Sequence, residues 1–165
     1  MTSSNSLPTV DGLIRTLDLQ PHPEGGYFRE TYRTATRRLG ERAASTLIYF
    51  LLPQGHVSRL HRIDADESWH LYLGGPLEIF EFDESDPTEA PRVTTLGTRF
   101  DRGERPQHVV PAGRWFGAAP SADAPFALVG CGVSPGFEFS KFELAERTAL
   151  LERFPAARDL VLRLT

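Results

Sequence analysis

Nine short segments in the middle of the chain constrain its fold more than any other feature of the sequence. Each is rich in β-branched and aromatic residues and is bounded by Gly, Pro or Asp, which is typical of β-strands. The segments are YFRETYR, STLIYFLL, SWHLYLG, PLEIFEF, RVTTL, QHVVP, RWFGAAP, PFALVGCGV and FEFSKFEL. No helical pattern lies between them, so they predict an all-β fold, an antiparallel sandwich or barrel over residues 24–143.

Helical periodicity is confined to the two ends of the chain. Apolar residues recur at helical spacing at Val10, Leu13, Ile14 and Leu17, and again at Leu144, Leu150, Leu151 and Phe154. The first group predicts a helix over residues 9–20, with Thr9 as its N-cap and Pro21 after its end. The second group predicts helices over residues 144–165. The polar residues 1–8 are predicted to be frayed.

Composition limits the class of protein and its partners. The chain has 165 residues, 40% of them apolar and 24% charged, which predicts one soluble globular domain over residues 1–165. A net charge of -4 argues against a nucleic-acid partner and against a membrane surface. Cys131 is the only cysteine and lies in an apolar strand segment, so it is predicted to be an inert core thiol. Without a signal sequence or an apolar run of roughly 18 residues, the chain is expected to be cytoplasmic.

The stretch from Gly55 to Gly74 carries the candidate chemistry. His61 ends an extended segment, and Glu67 begins the next strand after the tight stretch RIDAD. Adjacent strands can point these two side chains toward each other, and a neighbouring carboxylate fixes a His tautomer and favours its charged form. Such a pair suits proton transfer near neutral pH, so His61 and Glu67 are the predicted catalytic residues. The simpler alternative is a partly exposed His at a strand end and a surface Glu.

The spacing of Glu67 and His70 allows two interpretations. On a helix, positions i and i+3 share one face, as metal ligands do in helical bundles. The segment WHLYLGG lacks a helix cap and runs into a Gly-Gly-Pro sequence, which favours a strand. On a strand, Trp69 and Leu71 share the inner face with Glu67, and His70 points to the outer face with Tyr72.

These residues resemble the motifs of a known superfamily. Gly55-x5-His61 followed by Glu67-x6-Gly74 is similar to the first motif of the cupins, and residues 111–116 are similar to the second. Longer segments resemble one family of that superfamily, cupin family 5, formerly a domain of unknown function. They are HPEGGYFRETYR, STLIYFLL, HRIDADESWHLYLGGPLEI, VVPAGRWFGA and GVSPGFEFSKFELAERTALLERFP. The resemblance implies an antiparallel jelly-roll barrel with a short N-terminal helix and C-terminal helices.

The chain departs from the cupin motifs at two of the four usual metal ligands. Ile63 and Phe116 stand where the superfamily has His, so only His61 and Glu67 match. A catalytic zinc normally needs three protein ligands. No cofactor is therefore expected, and the alternative is a divalent metal held by His61, Glu67 and His70.

Within the superfamily, the chain also resembles the metal-free sugar-nucleotide 3,5-epimerases. That resemblance implies His61 as a general base with Glu67 as its carboxylate partner. It also implies that residues 24–30 help to hold the ligand across a homodimer. In a regular strand, one face carries Tyr27, Arg29 and Thr31, and the other carries Phe28, Glu30 and Tyr32.

The leading functional hypothesis is an isomerase or epimerase acting on a sugar, a sugar phosphate or a sugar nucleotide. Its predicted substrate-binding residues are Tyr27, Arg29, Tyr49, Arg59, Trp69, Tyr72 and Phe116. Arg29, Arg59 or Tyr72 would donate a hydrogen bond to the developing oxyanion.

Other functions stay open at this point. Arg37, Arg38 and Arg42 either lean over the pocket toward an anionic substrate or belong to a solvated loop. The chain could also be a non-catalytic cupin that binds a small ligand. A third alternative is a metal-dependent isomerase or dioxygenase with an irregular ligand set.

Overall fold

The computed structural model describes residues 7–35 and 40–165. Its helices are α1 (Val10–Leu17), α2 (Arg147–Arg153) and α3 (Arg158–Leu164), with short 3₁₀ helices at Phe100–Arg102, Phe139–Lys141 and Pro155–Ala157. Its strands are β1 (Gln20–Pro21), β2 (Tyr27–Arg33), β3 (Thr46–Pro53), β4 (Ser58–Ile63), β5 (Asp66–Gly74), β6 (Leu77–Phe82), β7 (Arg92–Leu96), β8 (Gln107–Val110), β9 (Trp115–Pro120), β10 (Phe126–Ser134) and β11 (Phe142–Leu144).

The strands form two antiparallel sheets, which confirms the predicted all-β fold. The six-stranded sheet has the order β1-β2-β3-β10-β5-β8, and the five-stranded sheet has the order β11-β4-β9-β6-β7. Their inner faces meet in the main core, which includes Phe50, Trp69, Ile79 and Phe116. The two sheets do not close into a complete barrel, because each keeps two edge strands.

The predicted helices at the two ends are confirmed. The Thr9 side chain accepts a hydrogen bond from the Gly12 amide at 3.1 Å and caps α1, which ends at Asp18 in a left-handed conformation. α1 packs Leu13 on the outer face of the six-stranded sheet. α2 and α3 cover the outer face of the five-stranded sheet. Within the described residues, no helix combines the length and the apolarity that crossing a membrane requires.

Irregularities in β2 and β4 decide which side chains reach the space between the sheets. In a regular strand, residues i and i+3 lie on opposite faces. The register shifts after Glu30, so the side chains of Glu30 and Arg33 both lie on the inner face. The Tyr32 side chain points outward, opposite Leu47. Tyr32 therefore does not share a face with Glu30, as it would in a regular strand, because bulges re-aim side chains in this way.

The same effect occurs in β4, where the register shifts between Ser58 and His61. Ser58 pairs with Ala118 and His61 with Phe116, and both partners lie in the main core. The side chains of Ser58 and His61 are both buried between the sheets. β4 thus presents two polar side chains to one interior site.

Candidate functional site

A pocket opens between the two sheets, near the ends of β2, β3, β4 and β10. Its cavity volume is about 70 Å³. The side chains that line it are His22, Glu24, Phe28, Glu30, Arg33, Thr46, Ile48, Phe50, His61, Glu67, Cys131, Val133, Phe137 and Phe139. An apolar wall therefore surrounds a small number of ionisable groups, as is usual in small-molecule sites.

A tight turn over residues 22–26 brings His22 and Glu24 into this pocket. The His22 amide donates to the Gly26 carbonyl at 3.0 Å, and the Gly25 amide donates to the His22 carbonyl at 3.0 Å. Gly25 and Gly26 have φ values of 110° and 67°, which residues with a Cβ rarely adopt. The sequence HPEGG thus folds so that a His and a Glu share one side of the turn.

Gly25→Ala is expected to destabilise the fold by roughly 1–3 kcal/mol and to disturb this turn. A Cβ at Gly25 would overlap the Val57 carbonyl oxygen in addition to imposing its unfavourable φ. Urea denaturation of both variants measures the effect, with Gly55→Ala as the matched control. Gly55 has a φ of 79° and nothing near its missing Cβ, so its substitution should cost less. Equal losses for the two variants would contradict the steric argument.

Glu24 lies at the centre of the polar groups in the pocket. Its Oε1 accepts a hydrogen bond from the Ser58 hydroxyl at 2.8 Å. Its Oε2 lies 3.4 Å from His61 Nε2 and 3.6 Å from His22 Nδ1. The His61 and Glu24 side chains are only 2% and 8% exposed. The carboxylate beside His61 is therefore Glu24, where the sequence had suggested Glu67.

The hydrogen bonds of His61 fix its tautomer. Its Nδ1 lies 2.7 Å from the Arg59 carbonyl oxygen, which can only accept, so Nδ1 carries the proton. Nε2 is then the nitrogen that can take a proton, and it faces Glu24. The ring is held between Phe116 and Phe142, with centroid distances of 4.2 and 5.3 Å.

His22 is the second imidazole of the pocket. Burial lowers the pKa of His22, and the nearby His61 lowers it further, while Glu24 acts in the opposite direction. Its Nδ1 accepts a hydrogen bond from the Glu24 amide at 3.3 Å. A neutral His22 therefore holds the turn that presents Glu24.

Glu67 and Cys131 form a separate buried pair in the same pocket. Burial raises the pKa of Glu67 well above its usual value, and the nearby Glu24 raises it further, while a hydrogen bond with Cys131 acts in the opposite direction. Burial also raises the pKa of the Cys131 thiol, as do the charges of Glu67 and Glu24. Both groups keep their protons to a higher pH than exposed groups would. The thiol lines the pocket wall and is buried, in line with an unreactive side chain.

The arginines near the pocket are engaged by neighbouring groups. Arg33 donates to Glu30 from Nε at 2.9 Å and from Nη2 at 2.7 Å, and it also donates to the Phe137 carbonyl. Arg42 donates to both oxygens of Asp64 and to the Gly136 carbonyl. The other two arginines of this loop, which the sequence left open as either anion-facing or solvated, are at positions 37 and 38 and lie outside the described residues.

Most of the predicted substrate-binding residues do not line this pocket. Tyr27, Arg29, Tyr49 and Tyr72 lie on the outer face of the six-stranded sheet, because strand alternation turns them away from the interior. Arg29 donates to the Leu17 carbonyl at 3.3 Å there. Arg59 is exposed on β4, and its guanidinium donates to the Pro23 carbonyl.

Trp69 and Phe116 face the interior, as strand alternation predicts, but they fill the main core. Phe116 contacts His61, whereas Trp69 is fully buried and its Nε1 has no hydrogen-bond partner in the part of the chain that the structure describes. His70 lies on the other face of β5 from Glu67 and Trp69. Of the predicted site residues, only His61 and Glu67 line the pocket, and Phe116 contacts His61 from the core.

The residues missing from the sequence prediction are His22 and Glu24. They belong to the segment HPEGGYFRETYR, which resembles the family; residues 24–30 were expected to help hold the ligand, but neither His22 nor Glu24 was itself predicted as a site residue. Two glycines directly after a His and a Glu indicate a tight turn that presents polar side chains. That pattern was the available signal.

The pocket does not fit the metal site that cupin motifs imply. No group of three or more His, Cys, Asp or Glu side chains among residues 7–35 and 40–165 is arranged to hold a metal ion. The proposed set of His61, Glu67 and His70 is not assembled, because His70 is on the opposite face. His61 Nδ1 and Glu24 Oε1 are already hydrogen-bonded to the Arg59 carbonyl and the Ser58 hydroxyl, so this pair could offer a metal only His61 Nε2 and Glu24 Oε2, fewer than the three protein ligands of a catalytic zinc.

A two-sheet jelly roll with a His and carboxylate pocket between its sheets defines a protein of the cupin class. A family model described as "Cupin superfamily (DUF985)" matches residues 11–145. The chain belongs to this family, as the motifs of the sequence had indicated.

Solved structures place the fold in the same class. The chain is similar to a protein from Shewanella oneidensis at 41% identity and a TM-score of 0.88, covering 96% of this chain and 98% of that one. It is similar to a hypothetical protein from Leishmania major at 34% identity and a TM-score of 0.86, covering 96% and 99%. A cupin-2 domain from Rhodospirillum rubrum shares the fold at 17% identity and a TM-score of 0.61, covering 89% and 88%. These likenesses confirm the predicted jelly roll. No curated protein matches the chain.

Proposed function

We propose that this cupin is an isomerase or epimerase that acts on a sugar or a related hydroxy-carbonyl compound, with His61 as its general base. The observation that supports this most directly is the buried series Ser58–Glu24–His61 beside the cavity, in which His61 Nε2 lies 3.4 Å from Glu24 Oε2. Such a series is typical of a base that is held in one orientation and one tautomer.

Each member of the series has a distinct task. The Arg59 carbonyl holds the proton on Nδ1, which leaves Nε2 to accept a proton from a carbon next to a carbonyl group. Glu24 stabilises the imidazolium that forms, because its carboxylate lies 3.4 Å from Nε2 in a site of low polarity. Ser58 fixes the carboxylate through its other oxygen.

Proton exchange tests the function even where the product of the reaction is unidentified. The protein is incubated in D₂O with a panel of free sugars, sugar phosphates and sugar nucleotides, and loss of the proton next to the carbonyl is followed by NMR. An isomerase or epimerase should exchange this proton for deuterium in at least one compound. A protein that exchanges none of them would contradict the proposal.

A non-catalytic, ligand-binding cupin is the second candidate. The apolar part of the pocket wall favours it, because Phe28, Ile48, Phe50 and Phe137 could hold a ligand without chemistry. Thermal stabilisation by a compound that undergoes no exchange would favour this candidate over the enzyme.

A homodimer remains a prediction for the assembled protein. Four exposed apolar side chains lie on the outer face of the six-stranded sheet, and they are Tyr32, Leu47, Tyr72 and Val109. A two-fold dimer would remove this surface from water. Light scattering coupled to size-exclusion chromatography measures the mass, and a monomeric mass at micromolar concentration would contradict the dimer.

A further inference from the structure

The charges around the cavity favour one class of ligand over the others. The ionisable side chains among the described lining residues are His22, Glu24, Glu30, Arg33, His61, Glu67 and Cys131. Three of these are carboxyl groups, and the single guanidinium among them belongs to Arg33. An anionic ligand would therefore meet three carboxyl groups, while the one guanidinium in the lining is already paired with Glu30.

Arg33 does not act as a free receptor for an anion. Glu30 accepts two parallel hydrogen bonds from its guanidinium, at 2.9 and 2.7 Å, and the Phe137 carbonyl accepts a third at 3.1 Å. This fork geometry is the one a phosphate would need. Binding a phosphate here would require breaking the ion pair or placing a second anion beside Glu30.

Glu67 supplies a hydrogen-bond donor to the same cavity. Its side chain is buried in the pocket wall, none of the ion pairs among the described residues involves it, and its neighbours are the Cys131 thiol and, through space, Glu24. The thiol remains protonated and can donate to one carboxyl oxygen. The proton of the carboxyl group is then available to a ligand.

We infer that the pocket selects an uncharged ligand, and that Glu67 donates a hydrogen bond to a carbonyl or hydroxyl oxygen of that ligand. The inference rests on the proposed function for the view that the ligand is a hydroxy-carbonyl compound. Of the candidate ligands, which are sugars, sugar phosphates and sugar nucleotides, it favours the unphosphorylated sugars.

The proton balance of the reaction follows from these positions. His61 Nε2 takes the proton from the carbon, the C–H electron pair forms a C=C bond, and the carbonyl oxygen takes the proton of Glu67. The products of this half-reaction are a neutral enediol, an imidazolium and a carboxylate. Return of a proton from His61 to carbon, and of a hydroxyl proton to Glu67, restores both residues.

The size of the cavity limits the part of the ligand that enters it. A single water needs about 10–15 Å³, so a cavity of 70 Å³ has room for roughly five water molecules. That space suits the reacting end of a short hydroxy-carbonyl compound. A longer ligand would extend along Phe137 and the exposed Phe139 at the mouth.

Matched pairs of compounds test the inference by calorimetric titration and thermal shift. The pairs are dihydroxyacetone with dihydroxyacetone phosphate, and D-erythrose with D-erythrose 4-phosphate. We expect the native protein to bind the uncharged member of a pair at least about tenfold more tightly, because the phosphate would lie near the carboxylates of Glu24 and Glu30 while Arg33 is already paired. Tighter binding of the phosphorylated members, or stabilisation by none of the uncharged ones, overturns the inference.

Two variants separate the contributions of charge and of Glu67. Glu30→Gln releases Arg33, so it should narrow the preference for the uncharged member by about threefold or more. The exposed Glu89→Gln makes the same change in charge elsewhere and should leave the preference unchanged.

Glu67→Gln keeps an N–H donor and should hold the uncharged ligand within about threefold, while the exchange rate falls because no proton is available. An unchanged preference in Glu30→Gln, or an unchanged exchange rate in Glu67→Gln, counts against the inference.

The outcomes also distinguish this inference from the proposed function. Preferential binding of uncharged compounds without proton exchange would contradict the enzymatic function and support the uncharged ligand class. Proton exchange confined to phosphorylated compounds would support the enzymatic function and contradict the uncharged ligand class.

Discussion

His61→Ala is expected to slow exchange of the substrate proton by about 10²–10⁴-fold, the usual contribution of a general base. His61 Nε2 is the one nitrogen of the described pocket that combines an open lone pair, a fixed tautomer and a neighbouring carboxylate. NMR in D₂O measures the exchange rate with any compound that the native protein exchanges. A loss of less than about threefold would contradict the role of His61.

Control variants separate catalysis from folding in this experiment. His61 is buried against Phe116 and Phe142, so its truncation leaves a cavity, and the melting temperature must be measured in parallel. His61→Gln fills more of this space without providing a base, and should lose the same activity. His70→Ala, on the outer face of β5, removes an imidazole away from the pocket and should keep full activity.

Glu24→Gln should lower the exchange rate less than His61→Ala does. The Arg59 carbonyl, and not Glu24, fixes the tautomer of His61, so the substitution removes charge without turning the ring. We expect a decrease of about tenfold to a hundredfold, from the lost stabilisation of the imidazolium. The ratio of the two losses measures how much of the base strength depends on the carboxylate.

The fold could be predicted because most of its strands are recognisable one by one. Segments such as STLIYFLL and PFALVGCGV are long, apolar and rich in β-branched residues, and both became central strands of the six-stranded sheet. β4 was predicted only as an extended segment ending at His61 and not among the nine strands, because SRLHRI has two arginines and only one β-branched residue. The segment FEFSKFEL was predicted as one strand, but most of it precedes the short β11 and includes a 3₁₀ helix.

The site was harder to predict than the fold because it is built from distant segments and from bulges. His61 and Glu67 could be found together, since both lie in one motif. Glu24 reaches His61 only through a turn whose packing against Val57 the sequence does not reveal. The faces of β2 depend on a register shift after Glu30, and periodicity alone cannot place that shift. Tyr27 and Arg29 share a face, as alternation predicts, but it is the outer face of the six-stranded sheet, and alternation alone cannot tell which face of a strand lines a pocket.

The free energy of unfolding of Glu67→Gln is expected to increase, relative to that of the native protein, as the pH rises. Because burial holds the pKa of Glu67 well above 4.5 in the folded state, the folded chain keeps a proton that the unfolded chain has already released. The native protein therefore loses stability as the pH rises from 4.5 through the raised pKa of Glu67. The Gln variant has no such titration, so its stability relative to the native protein should increase over that window. The limiting slope is about 1.4 kcal/mol per pH unit.

Urea denaturation of both proteins between about pH 5 and about pH 8 measures this difference. The lowered pKa of His22 gives the opposite slope below 6.5, since the unfolded chain binds that proton more readily. It is present in both proteins and largely cancels in the comparison. Glu152→Gln, at an exposed position of α2, is the matched control and should show no such trend. An infrared band of a protonated carboxyl group, present in the native protein and absent from Glu67→Gln, would identify the proton directly. A stability difference that stays flat with pH would mean that Glu67 ionises like an exposed carboxyl, and it would then be unable to donate a proton to a ligand.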